Sequence, residues 1–313
     1  MKNVLILGAN GFIGQRLMAR LPGGVCAIGY GKSCPQWEQG TGVFVRGDFV
    51  AEKHMAQILT AYEIDTVYHL ISTTVPAPGT SCAMKEMEEN VIPTIRLLDA
   101  MVQTGTRRIV FASSGGTIYG ESVGYPHIEN DPLEPVCSYG IQKATIEHFL
   151  QLYHHEHGIT CRIARIANPY GVTPQSERTQ GIIPILMKEL LKKKPITLFG
   201  ETVRDYIYID DVADALVKIG DYPGEESIFH IGSGIGISLT RLVEMIEACT
   251  GEQFSEIQKR PIRSCDVQES ILNVERTKRL LNWEPTISLR EGIRITWDEI
   301  SAKAARDRTV GRE

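Results

Sequence analysis

A glycine-rich turn near the N-terminus constrains the fold of this chain more than any other feature. The apolar run Val4–Leu7 leads directly to Gly8, Gly11 and Gly14, and Gln15–Leu21 has helical composition. A short apolar run bounded by glycines predicts a buried strand followed by a tight turn into a helix. Glycine lets a phosphate approach the backbone, and the N-terminus of the next helix attracts an anion. The segment predicts a dinucleotide site, although the same turn also occurs without a ligand.

The composition excludes several classes of protein. A length of 313 residues with 42% hydrophobic residues provides for one large α/β unit or two modest domains. The net charge of −5 supplies no basic field for nucleic acid. The sequence has no apolar run of membrane-spanning length and no signal peptide, so no membrane partner is expected. The seven cysteines are scattered without a Cys-x-x-Cys pair, which predicts reduced thiols in the cytoplasm.

Strand-like and helix-like segments alternate through the first half of the chain. The candidate strands are Val4–Leu7, Val25–Ile28, Val43–Arg46, Thr66–Leu70, Arg108–Ala112 and Thr160–Ile166. The helices expected between them are Ala51–Ala61, Ala83–Thr104 and Tyr139–His157. This alternation predicts an α/β fold with a doubly wound parallel (Rossmann) sheet, whose ligand crevice lies at the carboxyl ends of the strands.

A smaller C-terminal α/β lobe is expected after Gly171, where the composition changes. Its expected helices are Ile182–Lys194, Leu239–Thr250, Asn273–Leu281 and Leu289–Ala305. We assign residues 1–171, with about 203–232, to a dinucleotide-binding domain, and residues 172–202 and 233–301 to a substrate lobe. Residues 302–313 are charged and are expected to form a disordered tail.

Tyr139 and Lys143 form a pair that can carry acid–base chemistry. Residues four apart on a helix share a face, and an ammonium group there favours a phenolate. Lowering a tyrosine pKa from about 10 toward about 7 takes roughly 4 kcal/mol of differential stabilisation. A lysine and a positively charged nicotinamide could supply it together, and the phenolate would take a hydroxyl proton as hydride leaves. An ordinary Tyr–Lys pair on a helix has the same spacing, so the choice between a catalytic pair and an ordinary one depends on the neighbouring motifs.

Three motifs follow one another along the chain: the glycine turn, the serine-bearing segment 111–120 and the segment Ser138–Lys143. Their order resembles the extended short-chain dehydrogenase/reductase family, and within it the nucleotide-sugar 4-epimerases. The resemblance covers residues 1 to about 300 and is supported by segments 47–49, 69–70, 90–91, 165–171, 204–212, 230–234 and 282–285. It implies an NAD-dependent enzyme acting on a nucleotide-diphosphate sugar.

The resemblance implies roles for individual positions. Tyr139 would be the acid–base, and Lys143 would be its partner and a contact of the nicotinamide ribose. Further implied cofactor contacts are Gly8, Gly11, Phe12, Ile13, Gly14, Asp48, Phe49 and Leu70. The implied contacts of the sugar nucleotide are Asn168, Arg204, Arg263 and Ser270. Arginine suits the diphosphate because it can make bidentate contacts, and a small residue at 270 would leave room for an N-acetyl group.

The sequence departs from the family pattern at the catalytic hydroxyl. The family usually has Ser or Thr four residues before the Tyr of its Tyr-Gly pair, and here that position is Gly115. A hydroxyl must polarise the reacting oxygen, so we expect Ser114, and next Thr117, to replace it. Ser113 is a further alternative, and simple capping of the strand end would also explain the two serines.

Two further departures concern the cofactor and the sugar. The second strand ends in Gly31-Lys32-Ser33 without the carboxylate that NAD-preferring members usually carry. NAD is the expected cofactor, but Lys32 or Ser33 could bind the 2′-phosphate of NADP. The hydroxyl-rich segment Ile71–Pro76 replaces a small apolar pair, so Thr74 either contacts the sugar or caps the loop.

Two other motifs are weighed against this interpretation. Residues 120–124 match the nucleophile elbow of α/β hydrolases, but Pro126 disfavours the helix that must follow. His154 and His157 resemble a metal cluster, yet they suit the C-terminus of a helix, and no metal is expected.

The sequence therefore predicts a nucleotide-sugar 4-epimerase that works through a transient 4-keto sugar. The alternative is an NAD(P)H-dependent reductase of a nucleotide-linked 4-keto-6-deoxy sugar, which would use the same Tyr139 and Lys143. A homodimer is expected, built on the helices Ala83–Thr104 and Tyr139–His157.

Overall fold

The computed structural model describes residues 2–33, 42–75, 83–121, 126–172 and 181–310, the last four of these as backbone only. The strands are β1 (Lys2–Leu7), β2 (Val25–Gly31), β3 (Val43–Arg46), β4 (Thr66–His69), β5 (Arg108–Ser114), β6 (Thr160–Ile166), β7 (Asn168–Tyr170), β8 (Ile196–Phe199), β9 (Val203–Tyr208), β10 (Ile228–Ile231), β11 (Gly236–Ser238), β12 (Ile257–Arg260) and β13 (Glu269–Ser270). The helices are α1 (Phe12–Arg20), α2 (Met55–Ala61), α3 (Ala83–Glu86), α4 (Ile92–Thr104), α5 (Ser138–His157), α6 (Ile182–Leu191), α7 (Ile209–Asp221), α8 (Leu239–Thr250), α9 (Glu275–Leu281) and α10 (Leu289–Val310). A π turn, Met87–Val91, joins α3 to α4.

Seven parallel strands form the main sheet, in the order β10-β6-β5-β4-β1-β2-β3. This order confirms the expected doubly wound sheet. The chain runs outward from β1 in one direction through β2 and β3, and in the other through β4, β5 and β6. The reversal between β1 and β4 opens a crevice at the carboxyl ends of these strands, where such sheets bind ligands.

Helices cover both faces of this sheet. Leu17 of α1 and Leu216 of α7 belong to the buried cluster on one face. Leu98 of α4 and Leu150 of α5 belong to the cluster on the other. Burial on both faces explains why the strands are continuous apolar runs, which is the pattern typical of parallel sheets.

A second, four-stranded sheet is organised around β9. Its first half pairs with β11 and β13, and its second half pairs with β7. Of the strands in residues 203–232, β9 belongs to this second sheet and β10 belongs to the main sheet. A separate parallel pair is formed by β8 and β12.

The last helix, α10, continues to Val310. The sequence predicts a disordered tail from residue 302, so the structure corrects this boundary for residues 302–310. The apolar positions Ile293 and Ile300 are buried, which anchors the first part of the helix to the core. Residues 311–313 lie outside the described residues.

Candidate active site

The glycine turn has the close backbone approach that the sequence predicts. Gly8 has a φ of +89°, which glycine adopts at little cost. A Cβ added at Gly14 would lie 2.1 Å from the Gly8 carbonyl oxygen, so no side chain fits there. Gly11 is the N-cap of α1 and brings no capping side chain. The first N–H groups of α1 therefore form a cradle that suits a pyrophosphate.

The end of β2 combines cations with one carboxylate. Lys32 Nζ lies 3.0 Å from Asp48 Oδ2, and the Lys32 side chain is 66% exposed. Arg46 Nε donates to the Lys32 carbonyl at 3.1 Å, and Asn10 Nδ2 donates to the Ser33 carbonyl. Asp48, the residue implied at the adenine, therefore also balances the cation that could take a 2′-phosphate.

Two other implied cofactor contacts differ in their surroundings. Phe49 is buried, and its ring centroid lies 5.1 Å from that of His69. The Leu70 N–H donates to the Leu7 carbonyl at 3.0 Å, which continues the pairing of β4 with β1 beside the turn. Leu70 thus lies at the crevice, whereas Phe49 contributes mainly to the core.

Tyr139 and Lys143 come together in the first turns of α5. Cys137 is the N-cap, and its Sγ accepts from the Gly140 N–H at 3.4 Å. Lys143 Nζ donates to the Ala112 carbonyl of β5 at 2.8 Å and lies 5.7 Å from the centroid of the Tyr139 ring. This hydrogen bond joins the start of α5 to the carboxyl end of β5.

Burial dominates the electrostatics of this pair. It lowers the pKa of Lys143 to about 8, against the opposing effect of the carboxylate of Glu147. It raises the pKa of Tyr139 to about 12, although a hydrogen bond with Ser72 acts to lower it. In the protein alone, the phenol is therefore not acidic; the sequence predicts an acidic phenol only when the lysine acts together with an oxidised nicotinamide. A further positive charge beside the ring, as an oxidised nicotinamide carries, is needed to make the phenol acidic.

A buried ion pair between Glu147 and Arg165 lies one helical turn beyond Lys143, and the sequence analysis did not identify it. Arg165 NH2 lies 2.7 Å from Glu147 Oε2, and both side chains are almost completely buried. Ser113 Oγ donates to Glu147 Oε1 at 2.5 Å, and Arg165 NH1 donates to the Tyr119 hydroxyl at 2.6 Å. The spacing of Glu147, one helical turn after Lys143, is the sequence signal that could have revealed it.

The hydroxyl groups of Ser113, Ser114 and Thr117, at and just after the end of β5, have different hydrogen-bond partners. Ser113 is engaged with Glu147 in the interior, whereas Thr117 Oγ1 donates to Ser114 Oγ at 2.9 Å. A Cβ added at Gly115 would lie 2.5 Å from Leu272 Cδ1. Close packing against Leu272 therefore explains why residue 115 is a glycine. The hydroxyls of Ser114 and Thr117, which we expect to replace the family's catalytic hydroxyl, lie within hydrogen-bonding distance of each other.

Three of the residues implied for the sugar nucleotide lie around β9. Asn168 pairs with Tyr206, and Ser270 pairs with Arg204. Arg204 NH2 donates to the Val267 carbonyl at 2.6 Å. The strand therefore brings Asn168, Arg204 and Ser270 to one sheet.

The other two implied substrate residues have different partners. Arg263 makes a two-point ion pair with Asp266, with distances of 2.6 and 2.9 Å. Thr74 Oγ1 accepts from Gln142 Nε2 at 3.0 Å, which attaches the segment after β4 to α5. Their roles toward a sugar stay predictions.

The described residues add no support for the nucleophile elbow at residues 120–124 or for a metal site at His154 and His157. Most of the nucleophile-elbow segment, residues 122–124, lies outside the described residues. Within the described ranges, no group of three or more His, Cys, Asp or Glu side chains is arranged to hold a metal. His154 Nδ1 is instead 2.9 Å from the Ile159 carbonyl. Across the same ranges, no helix is both long enough and apolar enough for a membrane span.

Comparisons with known proteins agree with this geometry. The chain is 36% identical over 243 residues to the dTDP-4-dehydro-6-deoxyglucose reductase of Escherichia coli, which covers 77% of this chain and 76% of the relative. It is 30% identical over 303 residues to the UDP-glucose 4-epimerase of Mycolicibacterium smegmatis, covering 93% and 96%. The crystal structure of the Thermotoga maritima UDP-glucose 4-epimerase with UDP-glucose matches with a TM-score of 0.84 at 29% identity, covering 96% and 99%.

These similarities confirm the resemblance seen in the sequence. The main sheet, the glycine turn and the Tyr–Lys pair all lie within the matched region. Residues 4–232 match the NAD dependent epimerase/dehydratase family, and the chain belongs to this family.

Proposed function

We propose that this chain is a nucleotide-sugar 4-epimerase that uses NAD. The observation that carries the proposal is the position of Tyr139 and Lys143 at the carboxyl end of β5. The glycine turn follows β1 in the same parallel sheet, so the acid–base pair and the pyrophosphate cradle share one edge. The epimerase relatives from M. smegmatis and T. maritima support the choice of reaction and of a UDP-sugar.

The residues divide the reaction between them. NAD, when bound, supplies the hydride acceptor and the positive charge beside Tyr139. The Tyr139 phenolate takes the proton of the sugar 4-hydroxyl while the C4 hydride leaves, and Lys143 keeps the charge balanced. Asn168 and Arg204 hold the diphosphate, so the flat 4-keto sugar can rotate and present its other face. Tyr139 then returns its proton as C4 takes the hydride back, and the sugar leaves with inverted C4.

The proposal is tested by offering the purified protein UDP-glucose, UDP-N-acetylglucosamine and a dTDP-4-keto-6-deoxy sugar and resolving the products by chromatography. We expect a UDP-sugar and its C4 epimer to interconvert without added reductant. Tyr139→Phe should bind NAD as tightly as the wild type and lose turnover by orders of magnitude, because it lacks the proton carrier. Undiminished turnover by Tyr139→Phe would show that another group carries the proton.

A second candidate function is reduction of a nucleotide-linked 4-keto-6-deoxy sugar. It is supported by the E. coli reductase relative and by the end of β2, where Lys32 and Arg46 surround the position of the missing carboxylate. A reductase releases oxidised cofactor at each turnover, whereas an epimerase regenerates and retains it. Denaturing the purified protein and quantifying the released nucleotide separates the two. Stoichiometric NAD supports the epimerase, and an empty protein that binds NADPH supports the reductase.

The same proposal includes a homodimer. Apolar side chains are exposed along α3, the π turn, α4 and α5: Met84, Met87, Ile92, Ile141 and Leu152. Two such faces would bury one another as a four-helix bundle, which removes apolar surface from water. Light scattering should give twice the monomer mass, and charge introduced at Ile141 and Leu152 together should give the monomer. The free Cys137, Cys161 and Cys265 fit a location in the reducing cytoplasm.

A further inference from the structure

A completely buried carboxylate, that of Asp205, lies in the middle of β9, where the strand changes its pairing partner. Arg204, one residue before it, pairs with Ser270 of β13. Tyr206, one residue after it, pairs with Asn168 of β7. Asp205 therefore lies between the two positions of β9 that carry or adjoin the residues implied for the sugar nucleotide.

The Asp205 carboxylate accepts three hydrogen bonds from the turn that follows β10. The Ser233 N–H and hydroxyl donate to Oδ1 at 2.8 and 2.6 Å, and the Gly234 N–H donates to Oδ2 at 3.1 Å. Successive N–H groups directed at one anion form a concave nest, and Gly234 has the positive φ of +75° that helps to build it. A Cβ added at Gly232 would lie 2.3 Å from Asp205 Oδ2, so the close approach requires glycine there. Because these three groups are donors, they suit the ionised carboxylate.

These hydrogen bonds join the two sheets. The turn follows β10, which pairs with β6 in the main sheet, whereas β9 belongs to the second sheet. The Ala167 N–H, one residue after β6, donates to the Ile231 carbonyl at 2.8 Å, which continues this pairing up to the turn. The main sheet also includes β5, whose Ala112 carbonyl accepts from Lys143. The carboxylate therefore fastens β9 to the sheet that carries the acid–base pair.

The backbone of Asp205 also orients the side chain of Asn168. Asn168 Nδ2 donates to the Asp205 carbonyl at 2.9 Å. A Cβ added at Gly116 would lie 3.5 Å from Asn168 Oδ1, so the same amide lies against the segment that carries Ser114 and Thr117. A movement of residue 205 would therefore move Asn168 relative to the expected catalytic hydroxyls.

We propose that Asp205 is a positioning residue for the sugar nucleotide: its carboxylate holds β9 to the turn after β10 and so fixes Asn168 and Arg204 relative to the acid–base pair. The inference rests on the proposed function, in which these two side chains hold the diphosphate. The diphosphate is remote from the reacting C4, so its contacts contribute equally before and during hydride transfer. Loss of the carboxylate should therefore raise KM for the sugar nucleotide and change kcat little.

Asp211 provides a matched control because its carboxylate makes the same set of hydrogen bonds elsewhere. It is buried, and it accepts from the Thr286 N–H and hydroxyl at 2.9 and 2.8 Å and from the Ile287 N–H at 3.1 Å. These bonds join α7 to the segment before α10, which carries none of the implied site residues. Asparagine has the shape of aspartate but brings an NH2 donor, so it places donor against donor at either position. Asp205→Asn and Asp211→Asn should therefore lose similar stability, and only Asp205→Asn should weaken binding of the diphosphate.

The test is the binding of UDP and of dTDP to the NAD-loaded protein, measured by isothermal titration calorimetry, which needs no turnover. For whichever nucleotide binds the wild type, Asp205→Asn should raise Kd about tenfold, the effect of losing one hydrogen bond to a charged group. Ser233→Ala removes only the hydroxyl donor and should raise Kd about threefold. Asp211→Asn should leave Kd unchanged. In an Asn168→Ala background, Asp205→Asn should raise Kd by a smaller factor, because a positioning residue acts only through the contacts that it positions. Thermal unfolding compares the stability of the variants.

Each outcome decides the inference. An unchanged Kd in Asp205→Asn overturns it, and if that variant does not fold, an unchanged Kd in Ser233→Ala does so. It is also overturned if Asp211→Asn weakens binding as much as Asp205→Asn, if the Asn168→Ala background leaves the full effect, or if the wild type binds neither nucleotide. A protein that converts no nucleotide sugar but shows the expected changes in Kd keeps the role of Asp205 and loses the proposed function. A protein that epimerises normally without these changes has the opposite result.

Discussion

Glu147→Gln removes one charge from a buried ion pair and should destabilise the protein strongly. The Glu147 and Arg165 side chains are 1% and 3% exposed. The variant leaves the Arg165 guanidinium without its counter-charge, and breaking a buried pair in this way costs about 3–5 kcal/mol. That loss is a large part of a typical total stability of about 5–15 kcal/mol. The carboxylate also raises the pKa of Lys143, so its removal should take that pKa below about 8.

Two measurements check this prediction. Urea unfolding should show the loss of stability, and the pH profile of turnover should show its basic limb moved to lower pH. The double variant Glu147→Gln/Arg165→Met also removes the unpaired Arg165 guanidinium. Its free energy of unfolding should therefore be higher than that of Glu147→Gln alone by about 1 kcal/mol or more. A loss of less than about 1 kcal/mol in Glu147→Gln, the size of an ordinary hydrogen bond, would contradict the reasoning. A double variant less stable than the single one would contradict it equally.

Three further predictions concern the glycines and the lysine of the site. Gly14→Ala should weaken NAD binding severely in a fluorescence titration, because its Cβ would lie 2.1 Å from the Gly8 carbonyl oxygen. Gly115→Ser should lower turnover and thermal stability, since its Cβ would lie 2.5 Å from Leu272 Cδ1, and adding Leu272→Ala should relieve the stability loss. Burial lowers the pKa of Lys143 to about 8, so its charge destabilises the fold below that pH, and this cost fades toward the unfolded value of 10.5. Lys143→Met should therefore gain stability relative to the wild type at pH 7, and chemical unfolding should show that gain shrinking between about pH 8 and 10.

The sequence predicts the main sheet well because its strands have an unambiguous pattern. β3 and β6 have the predicted bounds, and β1, β2, β4 and β5 differ by a few residues at their ends. Most of them are short apolar runs beside a turn and are largely buried, whereas β3 lies at the edge of the sheet and is partly exposed. The strands of the smaller sheets carry a weaker signal. β12 is exposed along its whole length, and β13 has two residues, so neither has a pattern that distinguishes it from a loop.

The site divides in the same way between local and distant contacts. The spacing of Tyr139 and Lys143 is a local property of one helix, so the sequence shows it directly. The hydrogen bonds of Thr73 with Asn90 and of Thr74 with Gln142 join positions far apart in the chain. The direction of the Tyr139 pKa shift depends on burial, which periodicity alone does not measure. For these reasons the pair was predictable, but its surroundings were not.

The two-sided pairing of β9 has a consequence for changing sugar preference by design. Arg204 in its first half pairs with Ser270 of β13, and Tyr206 in its second half pairs with Asn168 of β7. Between them Asp205 accepts from the backbone and hydroxyl of Ser233, which fixes the middle of the strand. On the proposed roles, a substitution at residue 270 should disturb the diphosphate contact of its pairing partner Arg204 more than that of Asn168, which lies on the far side of Asp205.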